Sequence, residues 1–480
     1  MGVRNPPLAR RLAANWLWML VVSMVVMFTW WTARFTLANS YFIADDYDHF
    51  QLAGALPFEE FLLTPIDVHF VPLHRLFSYL LLKLAPLNFS LAVWLLIAFQ
   101  LASLLMLYRV LEKVRKGPWN PPLVLLCACN SALLHLIIWW SAGIHRLPYV
   151  LLTLVSLFFY LRYRERQRPI ELIGCFLSAM IALGFYSKAV LIPFYVLALE
   201  FCLSWREALK AWRRYVPGVV LLLLSLAYVG WYLKFAPVQR SDVSTSPDVA
   251  LEITVAFFRV LMNLVLLREL SQWGLVEALV VLFWSALILV TCLRKRENVI
   301  YWLALLGVLA LNFLLIAGSS RGQLLGAFLA GALRYYYEVF FLAAIFLCLI
   351  LNPVPDESRG AAQRVQSKTW SAAVLMFCLI YPLAAYHAAK EAFAHTTGPV
   401  HKQASRYMRT LLASLDALPA GSVQVAEGDL PLYVYGDWLK IAKPYSQILP
   451  LRYPNMRFVP HEQAQYEIDP QGQVSALAPH

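Results

Sequence analysis

The stretch FIADDYDHF, residues Phe42 to Phe50, sets three aspartates and a histidine shortly after the first long apolar run. Adjacent carboxylates beside a low-dielectric surface push one of their pKa values up, and a carboxylate facing a hydroxyl acts as a general base. The alternative for Asp45-Asp46 is local. One of the two carboxylates caps a short helix starting near Tyr47 by accepting from its first amides.

Basic residues stand in comparable settings further along. His69, His74 and Arg75 lie in HFVPLHRLF, His145 and Arg146 in WWSAGIHRLP, and Lys188 in GFYSKAV; Arg321 and Arg334 follow. Each is flanked by apolar residues. Boundary charges are costly and point to function, with snorkelling to lipid headgroups as the alternative. Together they describe a pocket with carboxylates on one wall and cations on another, suited to a substrate that carries a phosphate and a reacting hydroxyl. Trp139 and Trp140, beside Arg146, are placed to stack on a sugar ring. Asp67, His69 and His74 could hold a divalent metal, but their spacing does not require one. No metal and no other cofactor is expected.

These residues must be positioned by membrane helices. The chain has 480 residues, 60% hydrophobic and only 14% charged, outside the range of soluble globular proteins. The expected fold is an all-α polytopic membrane protein. Apolar runs of spanning length give about eleven transmembrane helices, near 14–33, 89–109, 122–141, 147–162, 170–186, 189–204, 216–234, 274–293, 299–317, 334–351 and 370–388. The first is long enough to stay attached rather than to be cleaved as a signal peptide. Alternate connections are rich in Lys and Arg, which places the N-terminus in the cytoplasm. Those loops account for the net charge of +12, so no nucleic-acid partner is needed to explain it. The seven cysteines fall inside expected spans and suggest neither disulfides nor zinc.

Residues 39–87 then form a long first outer loop. Within it, Leu73, Leu76, Phe77, Leu80 and Leu84 recur at helical spacing, which predicts a helix in the membrane surface with His74, Arg75 and Lys83 interrupting or edging its apolar face. A second interfacial helix is expected over 251–270. Residues 1–388 form the membrane domain, and 389–480 a small soluble extracytoplasmic appendage of α/β character.

In that topology, the acidic pair of ADDYDHF, the stretch HFVPLHRLF and the segments SAGIHRLPYVLLTL and GFYSKAVLIPFYVLALE resemble the GT-C superfamily of integral-membrane glycosyltransferases. The resemblance covers about residues 12 to 352 and is strongest over the first 200. It implies an inverting transferase that takes a sugar from a polyprenyl-phosphate donor and passes it to a hydroxyl acceptor. Asp45 is then the base, and Asp46 orients the acceptor or shares that role. Lys188, Arg146, His74, Arg75 and Arg334 hold the donor phosphate, while Asp48, His69, His145 and Trp140 line the acceptor and sugar pocket. The implied location is a bacterial inner membrane with the site facing the periplasm, the bilayer itself being a partner. Two departures stand out. Ala189 occupies the position after the lysine where relatives often carry Glu, and the tail is short. The competing readings are a polymerase or ligase of lipid-linked glycans, and a non-enzymatic flippase.

Overall fold

The computed structural model describes residues 8–65, 69–207, 212–235, 246–265, 275–319, 322, 325–352, 363–419, 423–435 and 443–478. Its helices are α1 (Leu8–Asn39), α2 (Asp45–Ala55), α3 (Phe58–Leu63), α4 (Pro72–Leu84), α5 (Phe89–Val114), α6 (Asn120–Ala128), α7 (Ala132–Ile137), α8 (Trp140–Arg166), α9 (Pro169–Phe185), α10 (Ile192–Ser204), α11 (Val216–Phe235), α12 (Pro247–Val265), α13 (Leu275–Arg294), α14 (Asn298–Ala317), α15 (Tyr337–Leu351), α16 (Gln363–His395) and α17 (Gly398–Asp416). Among the described residues, seven helical segments are long and apolar enough to cross a bilayer. Pro169–Phe185 and Ala278–Arg294 are shorter apolar helices. The protein is a helical polytopic membrane protein with a small C-terminal strand region.

The apolar run over 122–141 is not one helix. Asn130 ends α6 by donating from Nδ2 to the Cys127 carbonyl at 2.5 Å, and opens α7 by accepting from the Leu133 amide at 3.0 Å. This side chain competes with the backbone ladder and so breaks the helix. The break turns the chain into α8, whose first residues lie against α2. Gly143 permits this turn, because a Cβ there would stand 2.6 Å from the Leu136 carbonyl oxygen.

Helix α4 is amphipathic, as expected, but His74 and Arg75 do not sit at the edge of an exposed face. Both are fully buried, while Leu80 and Leu84 are exposed. His74, Arg75 and Ser78 face the protein together with Leu81 and Leu82, while Leu80, Lys83 and Leu84 look outward.

At the opposite end of the bundle, basic residues are fastened to carboxylates and carbonyls. Arg164 pairs with Glu200 at 2.8 Å and Arg162 with Glu171 at 2.8 Å. Asn352 Nδ2 donates to Asn120 Oδ1 at 2.8 Å. All seven cysteines are free thiols.

The described part of the tail carries strands β1 (Val423–Ala426), β2 (Asp429–Leu430), β3 (Lys443–Pro444), β4 (Met456–Val459), β5 (Tyr466–Ile468) and β6 (Val474–Ala476), four of which form one sheet. The sheet order is β4-β1-β5-β6, and β2 pairs with β3 apart from it. Strand β1 runs parallel to β4 and β5, and β6 is antiparallel to β5. Helix α17 packs its apolar side inward through Tyr407, Met408, Leu411 and Leu415. The tail joins the bundle beside α2. Ser40 Oγ lies 2.7 Å from His401 Nδ1, and Ser405 Oγ donates to the Ser40 carbonyl at 3.0 Å.

Candidate active site

The two acids that begin α2 have different surroundings. Asp46 is fully buried. Its Oδ1 accepts from the Ser141 amide at 2.8 Å and from Ser141 Oγ at 2.6 Å, and its Oδ2 accepts from the Ile43 amide at 3.1 Å. Ser141 belongs to the first turn of α8, where backbone amides have no helical partner. Asp46 therefore caps α8 from a distance instead of capping its own helix, with its carboxyl at the positive end of the α8 dipole. Burial, and next the charge of Asp45, hold the Asp46 carboxyl well above the usual carboxylate range, opposed by the hydrogen bonds from Ser141 and Ile43.

Asp45 is only partly buried. Its Oδ1 accepts from the Trp139 indole Nε1 at 2.7 Å. The residue before it, buried Ala44, has φ of 52°, a left-handed conformation that costs a residue with a Cβ of order 1–3 kcal/mol. Such strain clusters at functional sites, and here it sets the direction in which α2 launches its first carboxylate.

Next to Asp45, aromatic rings alternate with guanidinium groups. Arg334 lies 5.1 Å from the Trp139 ring and 5.2 Å from the Tyr335 ring. Arg146 lies 4.9 Å from the Tyr335 ring and 5.1 Å from that of Tyr186, whose hydroxyl it reaches at 3.3 Å. Tyr335 is thus flanked by two arginines from different parts of the chain. Stacking of this kind holds guanidinium planes in place.

Beyond Arg146 the histidines gather. The rings of His49 and His74 are 4.1 Å apart, those of His74 and His145 4.2 Å, and those of His69 and His145 5.3 Å. Arg75 points its guanidinium at the Phe61 ring, 4.7 Å away. Burial holds His49 and His74 well below the usual imidazole range, and the neighbouring His74 and Arg75 (for His49) or Arg75 (for His74) add to it. Burial likewise lowers Arg75 to about 10. Among the described residues, no group of three or more His, Cys, Asp or Glu is arranged to hold a metal ion. Asp67 and Arg321 lie outside the described residues.

Several expected site residues are engaged elsewhere. Lys188 Nζ forms a buried ion pair with Glu338 Oε1 at 2.6 Å, so its charge is already matched. Glu338 stands in the first turn of α15. Asp48 faces the tail, ion-paired with Lys443 at 3.0 Å and hydrogen-bonded by the Tyr435 hydroxyl. Trp140 is fully buried with its indole donating to Ser78 Oγ at 3.0 Å, so it offers no face to a sugar. Trp139, beside Asp45, does the positioning. The structure places Asp45, Arg146, Arg334, His69, His74, Arg75 and His145 in one region. His49, Tyr186, Tyr335 and Glu338 belong to this region as well. His49 was legible as the residue four after Asp45, on the same helical face. The two tyrosines and Glu338 carried no comparable signal.

No protein-family model matches the sequence, and no curated protein matches it. Among solved structures, the crystal structure of ArnT from Cupriavidus metallidurans bound to undecaprenyl phosphate is similar to this chain at 12% identity and a TM-score of 0.49, over 87% of this chain and 84% of that one.

Proposed function

We propose that this protein is an inverting membrane glycosyltransferase that moves a sugar from a polyprenyl-phosphate donor to a hydroxyl acceptor. The observation that carries the reading is the opposition of Asp45, partly exposed and steered by Trp139, to the arginines stacked on Tyr335 and the imidazoles behind them. A base on one wall and cations on the other is what such a displacement needs. Asp45 takes the proton of the acceptor hydroxyl, the oxygen attacks the anomeric carbon, and the phosphate leaves with the bonding electron pair. Arg146 and Arg334, with His74 and Arg75 deeper in, stabilise the charge that develops on that phosphate. His69 borders the sugar, and His145 stands between it and His74. The exposed Leu80 and Leu84 of α4 give the prenyl chain a lipid-continuous surface. Asp46 acts as a positioning residue through Ser141.

A flippase would need a polar path through the bundle. Of its four sparse candidates three are bound in local contacts, Asn130 in the α6–α7 break, Asn263 to the Arg259 carbonyl at 3.0 Å and Asn312 to Tyr195 at 2.9 Å, and the fourth, His135, leaves its buried Nε2 without a hydrogen bond. This favours the transferase. In keeping with the resemblance, we place the site at the periplasmic face of a bacterial inner membrane.

The test is turnover of a panel of polyprenyl-phosphate sugars by purified protein. Sugar transfer or slow hydrolysis in the wild type, lost in Asp45→Asn while donor binding persists, is the expected result. Binding without turnover, equal in both proteins, would replace the enzyme by a flippase.

A further inference from the structure

The interface of α2, α4 and α8 holds a set of buried nitrogen atoms that nothing satisfies. Among the described residues, His49 Nδ1, both ring nitrogens of His74, His145 Nε2 and all three guanidinium nitrogens of Arg75 make no hydrogen bond. His49, His74 and Arg75 are at most 1% exposed. Leaving buried polar groups unsatisfied is costly, charged ones most of all, so a cluster of them points to a bound ligand. The ligand has to be an acceptor, because Arg75 can only donate and the imidazoles can all donate once protonated.

The charges facing this space have one sign. On α2, Asp46 is committed to Ser141 and Asp48 to Lys443, while Asp45 turns to Trp139. From α4 come His74 and Arg75, from α8 come His145 and Arg146, and from the preceding loop comes His69, with Tyr186 at the margin. Burial first, and then the neighbouring His74 and Arg75 for His49 and Arg75 for His74, hold these two imidazoles well below the usual imidazole range. An anion entering among them reverses that electrostatic balance.

We infer that His49, His74, His145 and Arg75 form an oxyanion subsite that receives the carrier phosphate and holds one proton on its imidazole stack when that phosphate becomes a monoester. This rests on the carrier-lipid reading proposed above. The accounting of the reaction gives the proton its purpose. The acceptor O–H bond breaks and its proton passes to Asp45; the new glycosidic C–O bond forms; the old C–O bond to phosphate breaks and its electrons stay on the phosphate. A singly charged diester thereby becomes a monoester with a second negative charge. Uptake of one proton by the stack, equivalent to the one released by the acceptor, keeps the buried site from holding an unmatched charge.

The experiment is titration calorimetry of the full-length protein in nanodiscs, at about pH 8, where a free phosphate monoester is close to doubly charged. Farnesyl phosphate and its methyl diester are each titrated in buffers of differing ionisation enthalpy, which gives the protons exchanged. The wild type should take up about one proton with the monoester and close to none with the diester. His74→Gln and His49→Gln should bind the monoester while taking up less than half as much. Binding without uptake in the wild type, or equal uptake in wild type and both variants, which places the proton on the phosphate, overturns the inference and leaves the transferase reading standing. Failure of the wild type to bind either compound overturns both. If one variant does not fold, the monoester-diester contrast in the wild type and the second variant still decide.

Discussion

Asp46 and Ser141, 95 positions apart in the chain, are joined by two hydrogen bonds to one carboxylate oxygen, at 2.8 and 2.6 Å. This contact fixes the start of α8 against the start of α2, and with it the distance from Asp45 to Trp139 and Arg146. In the proposed reaction the acidic pair is therefore divided into a structural member, Asp46, and a chemical one, Asp45.

Substitution at the two positions should then separate activity from stability. Asp45→Asn should lower kcat by about 10²–10⁴-fold, the usual contribution of a positioned base, with thermal stability and donor affinity close to wild type. Asp46→Ala should cost about 0.5–2 kcal/mol for the lost cap and reduce kcat only as far as α8 shifts. Steady-state kinetics beside thermal unfolding of both variants distinguish the roles; equal loss of kcat with unchanged stability would return Asp46 to the chemistry.

The same carboxylate makes stability depend on pH. The Asp46 pKa is raised in the folded protein, by burial first and Asp45 second. Between the ordinary carboxylate range and that raised value, the native state binds more protons than the unfolded one. Its contribution is complete below the unfolded pKa and is lost as pH rises through the folded one. The unfolding temperature of the wild type should fall with rising pH over this interval. Asp46→Asn, which cannot ionise, should flatten that part of the profile, and a profile that keeps its slope in Asp46→Asn assigns the dependence to another group.

The Lys188–Glu338 pair yields a different pattern. Both side chains are at most 3% exposed. Removing one partner of a buried pair typically costs about 3–5 kcal/mol because it strands the other charge, whereas replacing both with apolar residues is often close to neutral. Lys188→Met should destabilise strongly, and Lys188→Met with Glu338→Leu should recover most of the loss. If the double variant also binds donor normally, Lys188 is a structural residue. If its stability returns while donor binding stays lost, the lysine leaves its glutamate for the phosphate during the reaction.

The sequence was most legible where the bilayer dictates the pattern. Long apolar runs became helices, and the acidic pair and scattered basic residues after them met in one region, because isolated charges beside a membrane need a common solution. What could not be read depends on partners far along the chain. Nothing in ADDYDHF indicates that one aspartate will cap a helix beginning at Trp140. Nothing in GFYSKAV points to Glu338. The α4 periodicity was correct, yet His74 and Arg75 turned inward because their burial depends on α2 and α8, which periodicity within one helix does not see. Trp139 and Trp140 differ only by the direction of one backbone step, and that step decides which ring meets the acid and which meets Ser78. Asn130 did carry a local signal, since its side chain favours helix ends, but the apolar residues around it hid the break.

The two arginines on Tyr335 allow a sharper test than charge removal. Arg146 and Arg334 approach the ring at 4.9 and 5.2 Å, and their value lies in planar groups that stack and donate at once. Lysine preserves the charge but loses the stacking and the paired donors. If the arginines hold the donor phosphate, Arg146→Lys should weaken donor affinity by about 10- to 100-fold, the range for one lost charge-assisted hydrogen bond. Tyr335→Leu, which keeps both arginines but removes their shared surface, should weaken donor binding in the same direction through disordered guanidinium groups. Tyr335→Phe retains the ring and should behave like wild type. Equal affinity across Arg146→Lys, Tyr335→Leu and the wild type would mean that charge alone suffices and that the stacked geometry serves packing. A loss in Arg146→Lys matched by Tyr335→Leu and absent in Tyr335→Phe would identify the ring as the platform on which the phosphate site is built.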